Sequence, residues 1–323
     1  MPPSRIQVSR LAPACRPVVP ALTPAVNPAT HGRQAAFRTG IAAIAARAVL
    51  ATALGLTAGH ACAAQGGVQA SSVTYAPTAA QLQTVETLKQ AAIDAFAPAE
   101  FARAGKAPLP YRLVSPIAPE SGKKYPLVVI FHSSGGVGSD NLLPLNAFTR
   151  GFGSAESRRD FPAYVLVPQT PGRTANYEKD GRGVRISKAG ADLADVMRLV
   201  EDIARHHPVD AKRIYAVGFS MGASAALDAA VASPGRFAAI VAMSGVPPER
   251  SLAKPLAGIP TLLIHGTADQ ENPYEGSQIW AQALAAAGGQ PVFITYQGMD
   301  HRIAPELLTA RPWREWMFQQ KRP

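Results

Sequence analysis

The chain has 323 residues, 47% hydrophobic and 17% charged, with a formal net charge of +10. That balance suits a packed globular core and excludes wholesale disorder. It does not mark a nucleic-acid binder: six of the ten net charges are Arg5, Arg10, Arg16, Arg33, Arg38 and Arg47, in a stretch (1–64) without Asp or Glu, and the remaining +4 is ordinary for a solubilised surface.

Residues 1–64 read as a leader ending in a secretory signal. Arg38 and Arg47 supply positive charge, the run AVLATALGLTAG (48–59) supplies an apolar stretch, and Cys62-Ala63-Ala64 supplies small residues before a cut ahead of Gln65. The run is too short for a comfortable membrane span, so no stable membrane insertion is expected after processing, and the expected destination is secreted or periplasmic. Both cysteines, Cys15 and Cys62, fall in the leader. A chain starting near residue 65 therefore has no disulfide and no thiolate nucleophile. Residues 65–75 are small and polar and read as a linker, and 76–323 as one catalytic-sized domain.

Within that domain, Leu82, Val85, Leu88, Ala92 and Phe96 recur at helical spacing, which predicts an amphipathic helix over 77–97. Strand-like and helix-like segments then alternate. Strands are expected at 111–117, 126–132, 163–168, 213–219, 238–243, 261–265 and 291–296. Continuous apolar runs such as LVVIF (127–131) suit strands covered on both faces. Helices are expected at 191–207, 220–232, 275–287 and 304–320. The first carries Leu193, Val196, Met197, Val200 and Ile203 on one stripe, with Pro208 just past its end. The alternation predicts an α/β fold with a doubly wound, mostly parallel sheet.

The most informative residues are Gly218-Phe219-Ser220-Met221-Gly222, placed between a predicted strand and an Ala-rich helix. A sharp strand-to-helix turn throws a serine hydroxyl out of the sheet, and flanking glycines let the backbones approach. Such a nucleophile needs a histidine base oriented by an acid, in the chain order Ser, acid, His. Downstream of Ser220 stand only His265 and His301. His265 lies inside an apolar strand and reads as a buried structural residue. His301 follows the last strand on a loop and is the expected base. Asp269, in the loop after the preceding strand, is the expected acid, and Asp300 its rival. Met221, just after the serine, is one expected oxyanion-hole donor, and the small-residue loop opening at His132 should supply the other. His132 itself reads as a brace for that loop. A metal is the competing use of His132, His265 and His301, but no H-x-x-x-H or H-E-x-x-H spacing occurs, and neither metal nor cofactor is expected.

These residues resemble the α/β-hydrolase esterases, a group that includes polyhydroxybutyrate-depolymerase-like esterases, "predicted peptidases" and dienelactone-hydrolase relatives. The resemblance rests on PLVVIFHSSGGVGSDN, PAYVLVPQ, RIYAVGFSMGASAALDAA, GRFAAIVAMSG, IHGTADQENP and YQGMDH, in that order. It implies the α/β-hydrolase fold and a triad of Ser220, Asp269 and His301, with Ser134 as the second oxyanion donor. Dienelactone hydrolases proper use cysteine, so that activity is not expected. The connection 244–260 is too short for a large lid, and the polar loop 170–187, with Tyr177, Lys179, Arg182 and Arg185, is the expected rim of an open cleft. The expected substrate is a small-molecule or oligomeric carboxylic ester. A serine peptidase and a non-catalytic scaffold are the alternatives.

Overall fold

The computed structural model describes residues 67–323. The expected leader, both cysteines and the expected cleavage site lie outside the described residues. The chain lays down β1 (Gln69–Thr74), β2 (Ala97–Arg103), β3 (Lys106–Val114), β4 (Tyr125–Phe131) and β5 (Tyr164–Pro168). A separate antiparallel hairpin of β6 (Ala175–Lys179) and β7 (Arg185–Ala189) follows. Then come β8 (Val209–Phe219), β9 (Ala239–Met243), β10 (Thr261–Gly266) and β11 (Val292–Gln297). All but the hairpin form one nine-stranded sheet in the order β1-β11-β10-β9-β8-β4-β5-β3-β2. Only the β5–β3 and β3–β2 pairs are antiparallel. This is the mostly parallel, doubly wound sheet of the α/β-hydrolase fold.

The helices are α1 (Ala79–Gln90), α2 (Ala147–Gly153), α3 (Ala155–Asp160), α4 (Leu193–His206), α5 (Met221–Ala232), α6 (Tyr274–Ala286) and α7 (Arg311–Gln319). They cover both faces of the sheet because each central strand is apolar on both. In β4, Leu127, Val129 and Phe131 join one core with the apolar residues of α4, α5 and α6. Val128 and Ile130, pointing the other way, join a second core with α1, α2 and α7. Helix α4 follows its expected stripe, with Leu193, Val196, Met197, Val200 and Ile203 all buried.

Several elements depart from the sequence reading. The expected linker 65–75 contains β1, which pairs in parallel with β11 at the sheet edge. An edge strand is held by its backbone ladder, so its Ser and Thr residues gave no apolar signal. The helix expected over 77–97 ends at Gln90, and Leu82 is left exposed. Phe96 is buried, but from the segment that leads into β2, where it packs against Gly153 so closely that a Cβ there would lie 2.3 Å from its ring. The rim expected as a loop is the β6–β7 hairpin. The C-terminal helix divides into a 3-10 turn (Pro305–Leu308) and α7, since Pro312 is tolerated only in a helix's first turn. Among the described residues, no helix is long and apolar enough to cross a membrane.

One buried charge cluster ties the β2–β3 hairpin to α4. The Asp195 carboxylate is 3.1 Å from both the Arg103 guanidinium and the Lys106 ammonium, and the Arg103 side chain is itself almost fully buried. Burial raises the Asp195 carboxyl, but these cations outweigh it and hold it below its usual range. Asp195→Ala should leave the Arg103 charge without its nearest partner and cost about 3 kcal/mol. Thermal unfolding should show a midpoint lowered by roughly 5–10 °C. An unchanged midpoint would mean that the cluster does not hold the hairpin.

Candidate active site

Ser220 stands at the carboxyl end of β8, in the middle of the sheet, and α5 begins at the next residue. Its backbone has φ 56° and ψ −125°, a conformation that costs a non-glycine residue energy and holds the side chain clear of both strand and helix. The flanking glycines make the turn possible. A Cβ on Gly218 would lie 2.2 Å from the Gly222 backbone, and one on Gly222 would lie 2.0 Å from the Phe131 carbonyl oxygen. The Ser220 amide donates to the Met243 carbonyl at 2.9 Å, anchoring the turn to β9.

Asp269 and His301 come from the loops after β10 and β11. Those loops are stitched together by bonds from the Thr267 amide to the Tyr296 carbonyl and from the Ala268 amide to the Met299 carbonyl, both 3.0 Å. Gly266 permits the contact, since a Cβ there would lie 2.1 Å from the Met299 carbonyl oxygen. The result is a continuous hydrogen-bonded chain. His301 Nδ1 is 2.7 Å from Asp269 Oδ2, and His301 Nε2 is 2.8 Å from Ser220 Oγ. A carboxylate only accepts, so the imidazole proton resides on Nδ1, and Nε2 is free to accept the serine proton. Phe219 supports the other face of the imidazole, with ring centroids 4.9 Å apart.

The Asp269 carboxylate is fully used. Oδ1 accepts from the amides of Glu271 at 2.9 Å and Asn272 at 2.8 Å. Oδ2 faces His265 Nε2 at 3.2 Å as well as His301. Burial alone would raise this carboxyl, but the hydrogen bonds from His265, His301 and the Asn272 amide outweigh it and hold it far below its usual range. His265 is buried, as its place in an apolar strand implied, with Nδ1 2.7 Å from Ser277 Oγ and Nε2 3.0 Å from the Asn272 carbonyl. Its grip on Asp269 escaped the sequence reading. The available signal was its position four residues before Asp269, across the close-packed Gly266. The rival Asp300 is half exposed and pairs with Arg302.

The loop after β4 carries Ser134 at the start of a 3-10 turn (Ser134–Gly136). His132 braces it: Nδ1 meets the Ser133 carbonyl at 2.8 Å and Nε2 accepts from the Thr170 amide at 3.2 Å. Burial holds this imidazole below its usual range, in the neutral form such bonds require. Gly136 lies directly on the His132 side chain, where a Cβ would be 2.8 Å away. Ser134 and Ser220 open together into a cavity of about 520 Å³, walled opposite by Arg173, Tyr177 and Arg185 of the hairpin region. On its other side, His301 lines a groove of about 440 Å³ with Phe219, Leu145, Phe148, Ile303 and Leu308. No cluster of three or more His, Cys, Asp or Glu side chains suited to a metal occurs among the described residues.

Comparison with known proteins agrees with the fold. A family model described as phospholipase/carboxylesterase matches residues 179–310, a span that includes Ser220, Asp269 and His301. A putative esterase, NocK, from Nocardia uniformis subsp. tsuyamanensis is 29% identical over 192 residues, 56% of this chain and 51% of that protein. The chain thus spans about half the length of the curated relative it matches. The crystal structure of a thermostable esterase superposes with a TM-score of 0.64 at 26% identity, over 71% of this chain and 64% of that one. A putative dipeptidyl aminopeptidase IV from Bacteroides ovatus ATCC 8483, 19% identical over 70% of this chain and 36% of that one, shares the fold with a TM-score of 0.55. The chain has the α/β-hydrolase fold and is similar to esterases of that superfamily.

The elbow helix carries a second buried acid. Asp228 of α5 accepts from the Ser187 hydroxyl at 2.9 Å, while its other carboxyl oxygen has no partner among the described residues. Burial pushes this carboxyl from 3.8 up to about 7, against the smaller opposing pull of Ser187. A raised folded-state value means that the folded chain holds a proton that the unfolded chain releases, so stability should fall as pH rises from about 4 to 7. Asp228→Asn removes that dependence. It should match the parent near pH 4 and exceed it above pH 7, by up to about 4 kcal/mol. Unfolding midpoints measured across pH 4–8 check this, and a constant offset between the two proteins would contradict it.

Proposed function

We propose that the protein is a serine hydrolase that cleaves carboxylic esters through an acyl-enzyme, with Ser220, His301 and Asp269 as its triad. The observation that carries this reading is the unbroken hydrogen-bonded chain from Asp269 through His301 to Ser220 at the tip of a strained strand-to-helix turn. The esterase relatives favour ester over amide. In this reading His301 Nε2 takes the Ser220 proton as Oγ bonds to the carbonyl carbon. The carbonyl oxygen gathers negative charge, and the amides of Met221 and Ser134 stabilise it. Neither amide hydrogen bonds to another described residue. As the ester C–O bond breaks, the proton on Nε2 passes to the departing alcohol oxygen. Water then gives a proton to Nε2, its hydroxide adds to the acyl carbon, and Oγ leaves with that proton. Asp269, pinned in its ionised form, stabilises the imidazolium that forms twice in the cycle.

Ser220→Ala should fold normally, lose labelling by a fluorophosphonate probe and lose about 10⁴-fold or more in kcat on p-nitrophenyl butyrate. Asp269→Asn should still bind substrate but lose on the order of 10³–10⁴ in kcat through the wrong imidazole tautomer. Turnover in Ser220→Ala near the parent rate would refute the nucleophile. A peptide panel run beside the ester tests the peptidase alternative, which peptide cleavage exceeding ester cleavage at equal concentration would favour.

We also propose export, on the charge, apolar run and small-residue order of residues 36–64. N-terminal sequencing of the protein from periplasm or medium should begin near Gln65, and a mature chain still carrying Arg47 would refute the cleavage.

A further inference from the structure

We propose that Arg173 and Arg185 form an anion subsite and that the preferred ester carries a carboxylate on its acyl part. This rests on the serine-esterase reading above and specifies its substrate class. Both arginines line the cavity that Ser220 and Ser134 share. Their guanidinium carbons lie 5.1 and 4.4 Å from the centre of the same Tyr177 ring, so two cations are gathered on one aromatic side chain. Each is fixed by an edge to the chain: Arg173 Nε donates to the Ala175 carbonyl at 3.0 Å, and one Arg185 nitrogen donates to the Glu271 carbonyl. Each therefore keeps other N–H donors for a ligand.

What marks these two is the want of a counter-ion together with their place on the wall of the Ser220 cavity. Of the hairpin's other cations, Arg182 pairs with Asp180 at 2.7 Å and Lys188 with Glu178 at 3.4 Å, while Lys179 forms no ion pair among the described residues but does not line the cavity. The cations beside the apolar groove are matched too, Lys89 to Glu86 and Arg302 to Asp300. Neither Arg173 nor Arg185 forms an ion pair with a carboxylate of the described residues. The one acid on the cavity wall, Glu271, is largely solvent-exposed, and its carboxylate lies 3.6 Å from His301 Nε2. Two held, unneutralised guanidinium groups repel one another, and a bound carboxylate relieves that repulsion while accepting charge-assisted bonds.

The chemistry of the cycle assigns the carboxylate to the acyl side. The departing alcohol oxygen must receive its proton from His301, and His301 lines the apolar groove. The acyl part stays on Ser220 beside the Ser134 amide, and those residues line the arginine cavity. A half-ester of a dicarboxylic acid, with a small or apolar alcohol, satisfies both sides. Hydrolysis follows the steps already given and needs no further reactant.

The test is a pH-stat comparison of monoethyl glutarate with ethyl pentanoate, in which a methyl group replaces the carboxylate, using the parent, Arg185→Gln and Arg173→Gln/Arg185→Gln proteins. The parent should favour the half-ester by about tenfold or more in kcat/KM, mostly through KM, and the preference should shrink as salt is raised. The double variant should lose the preference, its kcat/KM for monoethyl glutarate falling to about that for ethyl pentanoate measured in the same protein. Equal rates on both esters in the parent, or a preference that survives the double variant, would overturn the subsite while leaving Ser220-dependent ester cleavage intact. A preference for 3-acetoxypropanoate over propyl acetate, with none for monoethyl glutarate, would overturn the acyl-side assignment. If neither ester is cleaved and Ser220 takes no phosphonate label, it is the esterase reading that fails.

Discussion

The start of α5 is pressed against the end of β4, and much of the site depends on that contact. With a Cβ on Gly222 only 2.0 Å from the Phe131 carbonyl oxygen, no other residue fits without moving a central strand. The close approach forces Ser220 to a positive φ, which throws its hydroxyl out over the sheet edge. It also brings the first turn of α5 beside the loop that follows β4, so that the amides of Met221 and Ser134 belong to neighbouring backbone segments. Gly218, Gly222 and Gly266 act alike here. Each removes a side chain where two segments of backbone must nearly touch, and the cost of the strained turn is borne by the packing of β4 and β8 around it.

For the proposed base role of His301, position alone is not enough; the charge behind it must also be fixed. Asp269 is fully buried as a side chain, and an isolated carboxylate there would take up a proton. Two backbone amides and two imidazoles prevent this by filling its accepting sites. His265 is held between Ser277 and the Asn272 carbonyl, so it fixes the acid without competing for the serine. Asn272 extends the support, donating its side-chain amide to the Ser244 carbonyl at 2.8 Å and tying the acid loop to the end of β9.

How much of this could be read from the sequence follows the same physics. The buried parallel strands declared themselves through continuous apolar runs, and the elbow through glycines that only a close approach requires. Ser220, Asp269 and His301 were nameable because chain order in this fold limits the choices, and the structure brings all three within hydrogen-bonding distance. What stayed hidden lacked a local signature. β1 is polar because an edge strand is held mainly through its backbone. The role of Phe96 depends on Gly153, which is 57 residues away. The hairpin that walls the cavity reads in sequence as a polar rim loop, since its strands present Asn176, Glu178 and Lys188 to water and touch the core through only a few side chains.

Those few contacts decide what kind of wall it is. Ser187 donates its backbone amide to the Pro247 carbonyl at 2.8 Å and its hydroxyl to Asp228 at 2.9 Å. Tyr177 reaches Ser224, 3.4 Å away, and Ser224 accepts from the Val246 amide at 2.9 Å. Ser224 and Asp228 are four residues apart on one face of α5, a helix of 12 residues of which half are alanine. Small side chains let the hairpin lie close, and the two polar residues fix where it sits. Swinging it away would break several of these hydrogen bonds at once, each worth about 0.5–1.5 kcal/mol net of the bonds to water that replace it. A flap that opens in every cycle is poorly built this way; a fixed wall is well built. Tyr177 and Arg185 are thereby held at a set distance from Ser220, so the shape and charge of the cavity belong to the resting protein. On the proposed reading, recognition on that side is set by the fit of the substrate to a preformed surface, with little ordering of the hairpin left to oppose binding.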